Sequence, residues 1–166
     1  IAMLDWSTEQ REHPVAIRVP GAVIHGEKPT KDYGILNKYE TVQKGSGAAI
    51  IALGTFFGMG KQAAELIEKK TGVKPTLINP VYITGIDEEL LESLKKDHKA
   101  VVTLEDGILD GGFGEKIARF YGDSDMRTVN FGLKKEFLDR YDANEVLRQN
   151  GITPEQIADR AAELIK

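Results

Sequence analysis

The chain contains no cysteine among its 166 residues. Disulfides, thiolate nucleophiles and cysteine-based metal sites are therefore all excluded. Histidine is scarce. His13, His25 and His98 lie in separate segments with no ligand-like spacing, and no serine nearby sits in a nucleophile-elbow context, so neither a metal site nor a hydrolytic triad is expected. No apolar run approaches the roughly 20 residues that span a bilayer, and no signal-peptide pattern is visible. An excess of positive charge is also missing. Acids outnumber bases 26 to 22, giving a net charge of −4, and no basic stripe stands out. A nucleic-acid surface is not expected, and the lack of cysteine fits a cytoplasmic protein.

What is present is an ordinary globular composition. Hydrophobic residues make up 41%, enough for a core within one domain plus part of another. The first residue is Ile1, and the chain opens mid-pattern on Ala2-Met3-Leu4-Asp5-Trp6. We read this as a boundary made by cloning or cleavage. Residues 1–20 read as a helix tail followed by a strand over Val15–Val19, stopped by Pro20-Gly21. Residues 21–38 are rich in Gly, Pro, Lys and Asp without periodicity, and read as a linker.

From residue 39 to 166 the pattern changes. Tyr39–Lys44 has the composition of an edge strand. Ala48–Leu53 is a continuous apolar run, as for a strand covered on both faces. Lys61–Thr71 has helical spacing and stops at Gly72. Pro75–Thr84, Val101–Leu104 and Arg127–Phe131 follow as strand regions. Between them, Asp87 caps a helix carrying Leu90, Leu91 and Leu94, and Glu115–Tyr121 forms another. Two short helices close the chain, one capped by Asp142 and one opened by Thr153-Pro154-Glu155-Gln156. Lys69-Lys70 and Lys95-Lys96 fall at helix C-termini, where cations favour the dipole. Strands alternating with helices predict a three-layer α/β/α sandwich around a mostly parallel sheet of about five strands.

Three segments invite a chemical reading. Gly54–Lys61 (GTFFGMGK) follows a strand and precedes a helix. The spacing fails a phosphate-binding loop, Gln62 stands where Ser or Thr would bind magnesium, and Phe56 and Phe57 would crowd a phosphate. A structural turn is the better reading. Gly112-x-Gly114 lacks the third glycine of a dinucleotide fingerprint, Ile117 occupying its place. The richest segment is Val101–Gly114 (VVTLEDGILDGGFG). Here an apolar strand ends in Glu105 and Asp106, and a glycine cluster then opens a helix, marking a crossing where backbones approach closely. Paired carboxylates can share a proton or hold a cation. They can also accept backbone N–H groups at a helix start, and a structural or interface role is favoured.

The order of several segments resembles the C-terminal portion of the 1-deoxy-D-xylulose-5-phosphate synthase family, transketolase-like thiamine-diphosphate enzymes. His13–Pro20 is similar to the end of that family's pyrimidine-binding domain. Leu53-Gly54-Thr55 with Ala63-Ala64, Asn79–Leu90, and Val102–Glu105 with Gly111–Gly114 are similar to successive strand–helix units of its C-terminal domain. Asn130–Leu133, Phe137 and Glu145–Ile152 resemble the synthase ending rather than that of a transketolase or of a 2-oxoacid dehydrogenase β subunit. The resemblance implies a transketolase-like C-terminal domain over 39–166, and a decarboxylating union of pyruvate with glyceraldehyde 3-phosphate in the complete enzyme. It also implies thiamine diphosphate and Mg2+ as cofactors, a homodimer, and the remainder of the same enzyme as partner.

The family's Gly-Asp-Gly…Asn diphosphate and metal motif is absent from this sequence, and the resemblance puts the glutamate that activates the thiamine upstream of residue 1. No catalytic or cofactor-binding residue is therefore expected here, and the isolated chain is expected to be inactive. Arg18 matches the first of two arginines in the family's Arg-Tyr-Pro-Arg-Gly and is the one substrate-binding candidate, although a structural ion pair would explain it equally well. The second arginine maps onto Gly21, which offers no guanidinium for the acceptor's phosphate. The acceptor aldehyde thus stays open, including a paralogue that uses another one. A further departure is Arg140-Tyr141-Asp142, where the family more usually has His-Gly. A stand-alone assembly or regulatory module of a split transketolase-like enzyme is the alternative in a different class.

Overall fold

The computed structural model describes residues 2–19 and 33–166. The chain divides into two compact units, residues 1–36 and 37–166. In the first, α1 (Ala2–Glu9) is the helix expected at the start. Gln10 organises the turn that follows: its amide Nε2 donates to the His13 carbonyl at 2.7 Å, and its Oε1 accepts from the Glu12 and His13 N–H groups. Residues 14–19 do not form the strand read from Val15–Val19. Val19 is 70% exposed. Strand composition alone supplies no partner, and β pairing needs one. Gly21, His25 and the rest of 20–32 lie outside the described residues, so most of the expected linker does too.

The second unit is a five-stranded sheet in the order β1-β3-β2-β4-β5. The strands are β1 (Glu40–Gln43), β2 (Gly47–Ala52), β3 (Thr76–Asn79), β4 (His98–Ile108) and β5 (Arg127–Leu133). β1 runs antiparallel to β3 at one edge, and every other pairing is parallel. Five helices complete the unit: α2 (Phe57–Thr71), α3 (Glu88–Leu94), α4 (Phe113–Tyr121), α5 (Ala143–Gln149) and α6 (Pro154–Leu164).

The sheet is buried on both faces because its strands are apolar at successive positions. Ile50, Ala52, Leu77, Val102 and Leu104 point to one side and pack with Ala63, Ala64 and Ile67 of α2 and Ile157, Ala158 and Ala161 of α6. Ala49, Ile51, Ile78 and Val101 point to the other, against Leu91 and Leu94 of α3 and Phe113, Ile117 and Tyr121 of α4. This is the period-two alternation of a strand serving two layers, and it gives the expected α/β/α sandwich.

The caps read from the sequence form. Asp87 accepts from Leu90 N–H, Asp142 from Glu145 N–H and Thr153 from Gln156 N–H. Several elements differ in extent, among them α2, β3 and β4. α2 begins at Phe57, ahead of Lys61, and so takes in Gly60, where an added Cβ would sit 2.8 Å from the Ala52 Cβ. Glycine that looks like a helix breaker is there to let helix and strand touch. β3 stops at Asn79, and a tight turn follows: Tyr82 N–H donates to the Pro80 carbonyl at 2.5 Å around Val81, whose φ is 61°. This is the strained three-residue turn, and a β-branched residue at positive φ marks it as unusual. β4 runs on through Glu105 and Asp106 to Ile108.

Candidate functional site

The strand order reverses between β2 and β4. β3 lies on one side of β2, and the chain then crosses to place β4 on the other. In open parallel sheets the crevice at such a reversal, beyond the carboxyl ends of the strands, is where functional groups gather. Here it is built from Gly54 and Thr55 after β2, and from Glu105 to Gly114 around the end of β4.

Two irregularities shape it. Between the pairs Leu104–Phe131 and Ile108–Leu133, four steps along β4 face two along β5. The extra residues form a bulge over Glu105, Asp106 and Gly107, which re-aims these side chains. After Gly54 (φ 48°), the turn Gly54–Phe56 leads directly into α2. Leu53 N–H donates to the Leu104 carbonyl at 2.9 Å, tying the two strand ends together. Thr55 Oγ1 reaches Asp106 Oδ2 at 3.5 Å across the crevice. GTFFGMGK is thus a structural turn, with Phe56 buried in the core.

Glu105 is 4% exposed. Its carboxylate accepts from Phe113 N–H at 2.6 Å and from Gly114 N–H at 3.4 Å, at the start of α4. Burial pushes its carboxyl above the usual range, outweighing the two N–H donors that favour the charged form. The glycines make room for this group. A Cβ on Gly112 would meet Glu105 Oε1 at 2.4 Å, and one on Gly132 would meet its Cγ at 3.1 Å. Beneath it, buried Thr103 donates to Asn130 Oδ1 at 2.8 Å, joining β4 to β5.

The sequence points to Glu105, Asp106 and the glycine cluster, and the structure brings them to this crevice. It misses Thr55, Thr103 and Asn130, which meet only through the long-range pairing of β2, β4 and β5. Arg18 lies exposed in the first unit's extended segment, and Gly21 is outside the described residues. His98 begins β4 at the other end of the sheet, with both ring nitrogens engaged, by Thr76 Oγ1 at 2.8 Å and the Leu94 carbonyl at 3.0 Å.

Chemically, the crevice supplies one carboxylate committed to a helix start and one in reach of a hydroxyl. It has no nucleophile–base pair. Among the described residues no three His, Asp or Glu side chains come together in a way that could hold a metal ion. Among the described residues, no helix is long and apolar enough to cross a membrane.

Residues 37–157 match the family "Transketolase, C-terminal domain". The chain belongs to that family. Its curated relatives include 1-deoxy-D-xylulose-5-phosphate synthases from Shouchella clausii, 31% identical over 92% of this chain and 25% of the relative, and from Clostridium perfringens, 32% identical over 98% and 27%. The chain thus spans about a quarter of the length of the relatives it matches. Among solved structures, a split-gene transketolase described as an inactive β4 tetramer superposes with a TM-score of 0.72, at 22% identity, over 89% of this chain and 47% of that one. A Pichia stipitis transketolase complexed with sedoheptulose 7-phosphate superposes at 0.55, with 20% identity, over 78% and 18%. These two share the fold.

Proposed function

We propose that the chain is the C-terminal portion of a 1-deoxy-D-xylulose-5-phosphate synthase and supplies scaffold and subunit contacts to it. The complete enzyme is a cytoplasmic homodimeric transferase. It joins pyruvate to glyceraldehyde 3-phosphate with loss of carbon dioxide, for isoprenoid and thiamine biosynthesis. The observation that carries this reading is identity of about 30% to several such synthases over 92–98% of the chain. Residues 1–20 are then the end of the pyrimidine-binding domain, 21–38 a linker and 39–166 the C-terminal domain.

In the complete enzyme, thiamine diphosphate and Mg2+ would be held by the other domains, and the cofactor would supply an electron sink for decarboxylation. The chain's own residues do something else. Glu105 fixes α4 against the strand ends, and the Thr55–Asp106 contact closes the crevice between β2 and β4. Phe137 (fully exposed), Leu138 and Tyr141, between β5 and α5, offer apolar surface of the kind that marks a protein contact. In this reading Arg18, matching the first of the family's two arginines, is the substrate-binding candidate. Gly21, in place of the family's second arginine, favours one variation on this reading, a paralogue with an unphosphorylated acceptor.

The test is a hybrid enzyme in which this chain replaces the matching C-terminal part of the Shouchella clausii synthase. It is assayed with pyruvate and either glyceraldehyde 3-phosphate or glyceraldehyde. Carboligation with the phosphorylated aldehyde supports the synthase, and preference for glyceraldehyde supports the paralogue. The isolated chain, as control, is expected to show no turnover and no binding of cofactor with Mg2+ at micromolar concentration. Micromolar cofactor binding by the isolated chain contradicts the scaffold role.

A further inference from the structure

The opposite end of the sheet, where β4 and β5 begin, holds a cavity of about 550 Å³. Its wall carries Lys95, Lys99, Arg127 and Lys166 against a single acid, Asp125. A second cavity of about 460 Å³ shares Lys99 and Lys166 and adds Lys70 and Asp97. In a chain whose net charge is −4, this concentration of cations runs against the average surface.

Charge accounting sharpens the point. Lys95 is neutralised by Glu92 at 2.6 Å, and Lys70 pairs with Asp159. Lys99 Nζ and Arg127 Nη1 rest instead on neutral acceptors, the Ile165 and Leu164 carbonyls at the end of α6, each at 3.3 Å. Among the described residues no carboxylate lies within ion-pair distance of Lys99, Arg127 or Lys166. A helix C-terminus favours a cation, and one would satisfy it. Two are anchored there, and Lys166 lines the same cleft. Their main-chain hydrogen bonds to the end of α6 offset part of this charge and hold both groups at the cleft.

We propose that this cleft binds a small, multiply charged anion carrying phosphate, such as a diphosphate or a phosphate ester. The planar fork of an arginine suits phosphate oxygens, and lysines add point charges around it. The cavity volume lies within the range of about 300–1,000 Å³ typical of small-molecule sites. The patch is too small, on too acidic a chain, for a nucleic-acid backbone. The site is independent of the crevice at Glu105 and of the synthase reading.

The probe is inorganic pyrophosphate, titrated calorimetrically into the whole chain at low salt, with sulfate at matched ionic strength as comparison. The double variant Lys99→Gln/Arg127→Gln removes both charges but keeps side-chain donors for the α6 carbonyls. Pyrophosphate is expected to bind the unmodified chain below millimolar concentration and the double variant at least about 10-fold more weakly, as loss of two near-surface charge contacts implies. Amide shifts in the NMR spectrum should centre on Lys99 and Arg127. If the double variant does not fold, Lys166→Gln is read instead, with weakening of about 3-fold or more expected. No heat at millimolar pyrophosphate, equal affinity in the variants, an equal response to sulfate, or shifts centred elsewhere would each overturn the site.

Discussion

Glu105 shows how a single carboxylate can look catalytic in a sequence and be structural in the fold. It ends an apolar strand beside a second acid, but its two oxygens are taken by the Phe113 and Gly114 N–H groups, two of the donors a helix start leaves without intrahelical partners. The packing around it leaves no room for a methyl group. Gly112→Ala would press a Cβ onto both carboxylate oxygens, and is expected to lower unfolding free energy by about 1–3 kcal/mol through overpacking, measured by urea denaturation. The ionisation of Glu105 gives a second expectation. Because burial raises its carboxyl in the native state, the folded protein keeps this proton to higher pH than the unfolded chain does. Its contribution is therefore complete below the ordinary glutamate value of about 4.3 and declines as pH rises through the native value. The stability difference between the wild type and Glu105→Gln should accordingly shrink from pH 4 to pH 7. A difference that grows over that range contradicts the assignment.

Among the elements, helices with caps were legible in the sequence and sheet pairing was not. Asp87, Asp142 and Thr153 each name their helix through a local rule, a side-chain oxygen three residues before the N–H it accepts. The parallel, apolar strands also announce themselves by composition. Three things depend on contacts far apart in the chain and leave no local trace: the placing of β3 between β1 and β2, the bulge that carries β4 to Ile108, and the failure of Val15–Val19 to become a strand. Gly60 misleads for a related reason, since its role is to approach Ala52 on another element. His98 is an instance of coupling between elements that yields a prediction. It links the end of α3, the start of β4 and β3 through Leu94 and Thr76, and Thr76 Oγ1 in turn accepts from Gly45 N–H at 3.0 Å. Burial holds its pKa below the usual imidazole value. A base with a depressed native pKa contributes stability above the unfolded value of about 6.5, and that contribution is lost as pH falls through the native one. His98→Gln should therefore flatten the loss of stability between pH 7 and pH 5. An unchanged slope would show that His98 does not titrate on unfolding.

At the scale of the molecule, the two ends of the sheet divide the work. The carboxyl ends of the strands build a rigid crevice around Glu105, Thr55 and Asp106. The amino ends gather unpaired cations around Lys99 and Arg127. The crevice was half legible: the acids and glycines stand together in VVTLEDGILDGGFG, whereas Thr103 and Asn130 meet only when β4 and β5 pair in register. The cationic cleft was not legible at all, because residues 95, 99, 127 and 166 come together only in the fold.

The most direct test of the proposed scaffold role is the turnover of the hybrid synthase, set beside the Shouchella clausii parent and the same parent lacking its C-terminal part. The account predicts carboligation of pyruvate within about 10-fold of the parent, a transition-state difference near 1.4 kcal/mol, and far above the truncated form. A hybrid that is folded, dimeric and loaded with cofactor, yet no faster than the truncated form with either aldehyde, would contradict it.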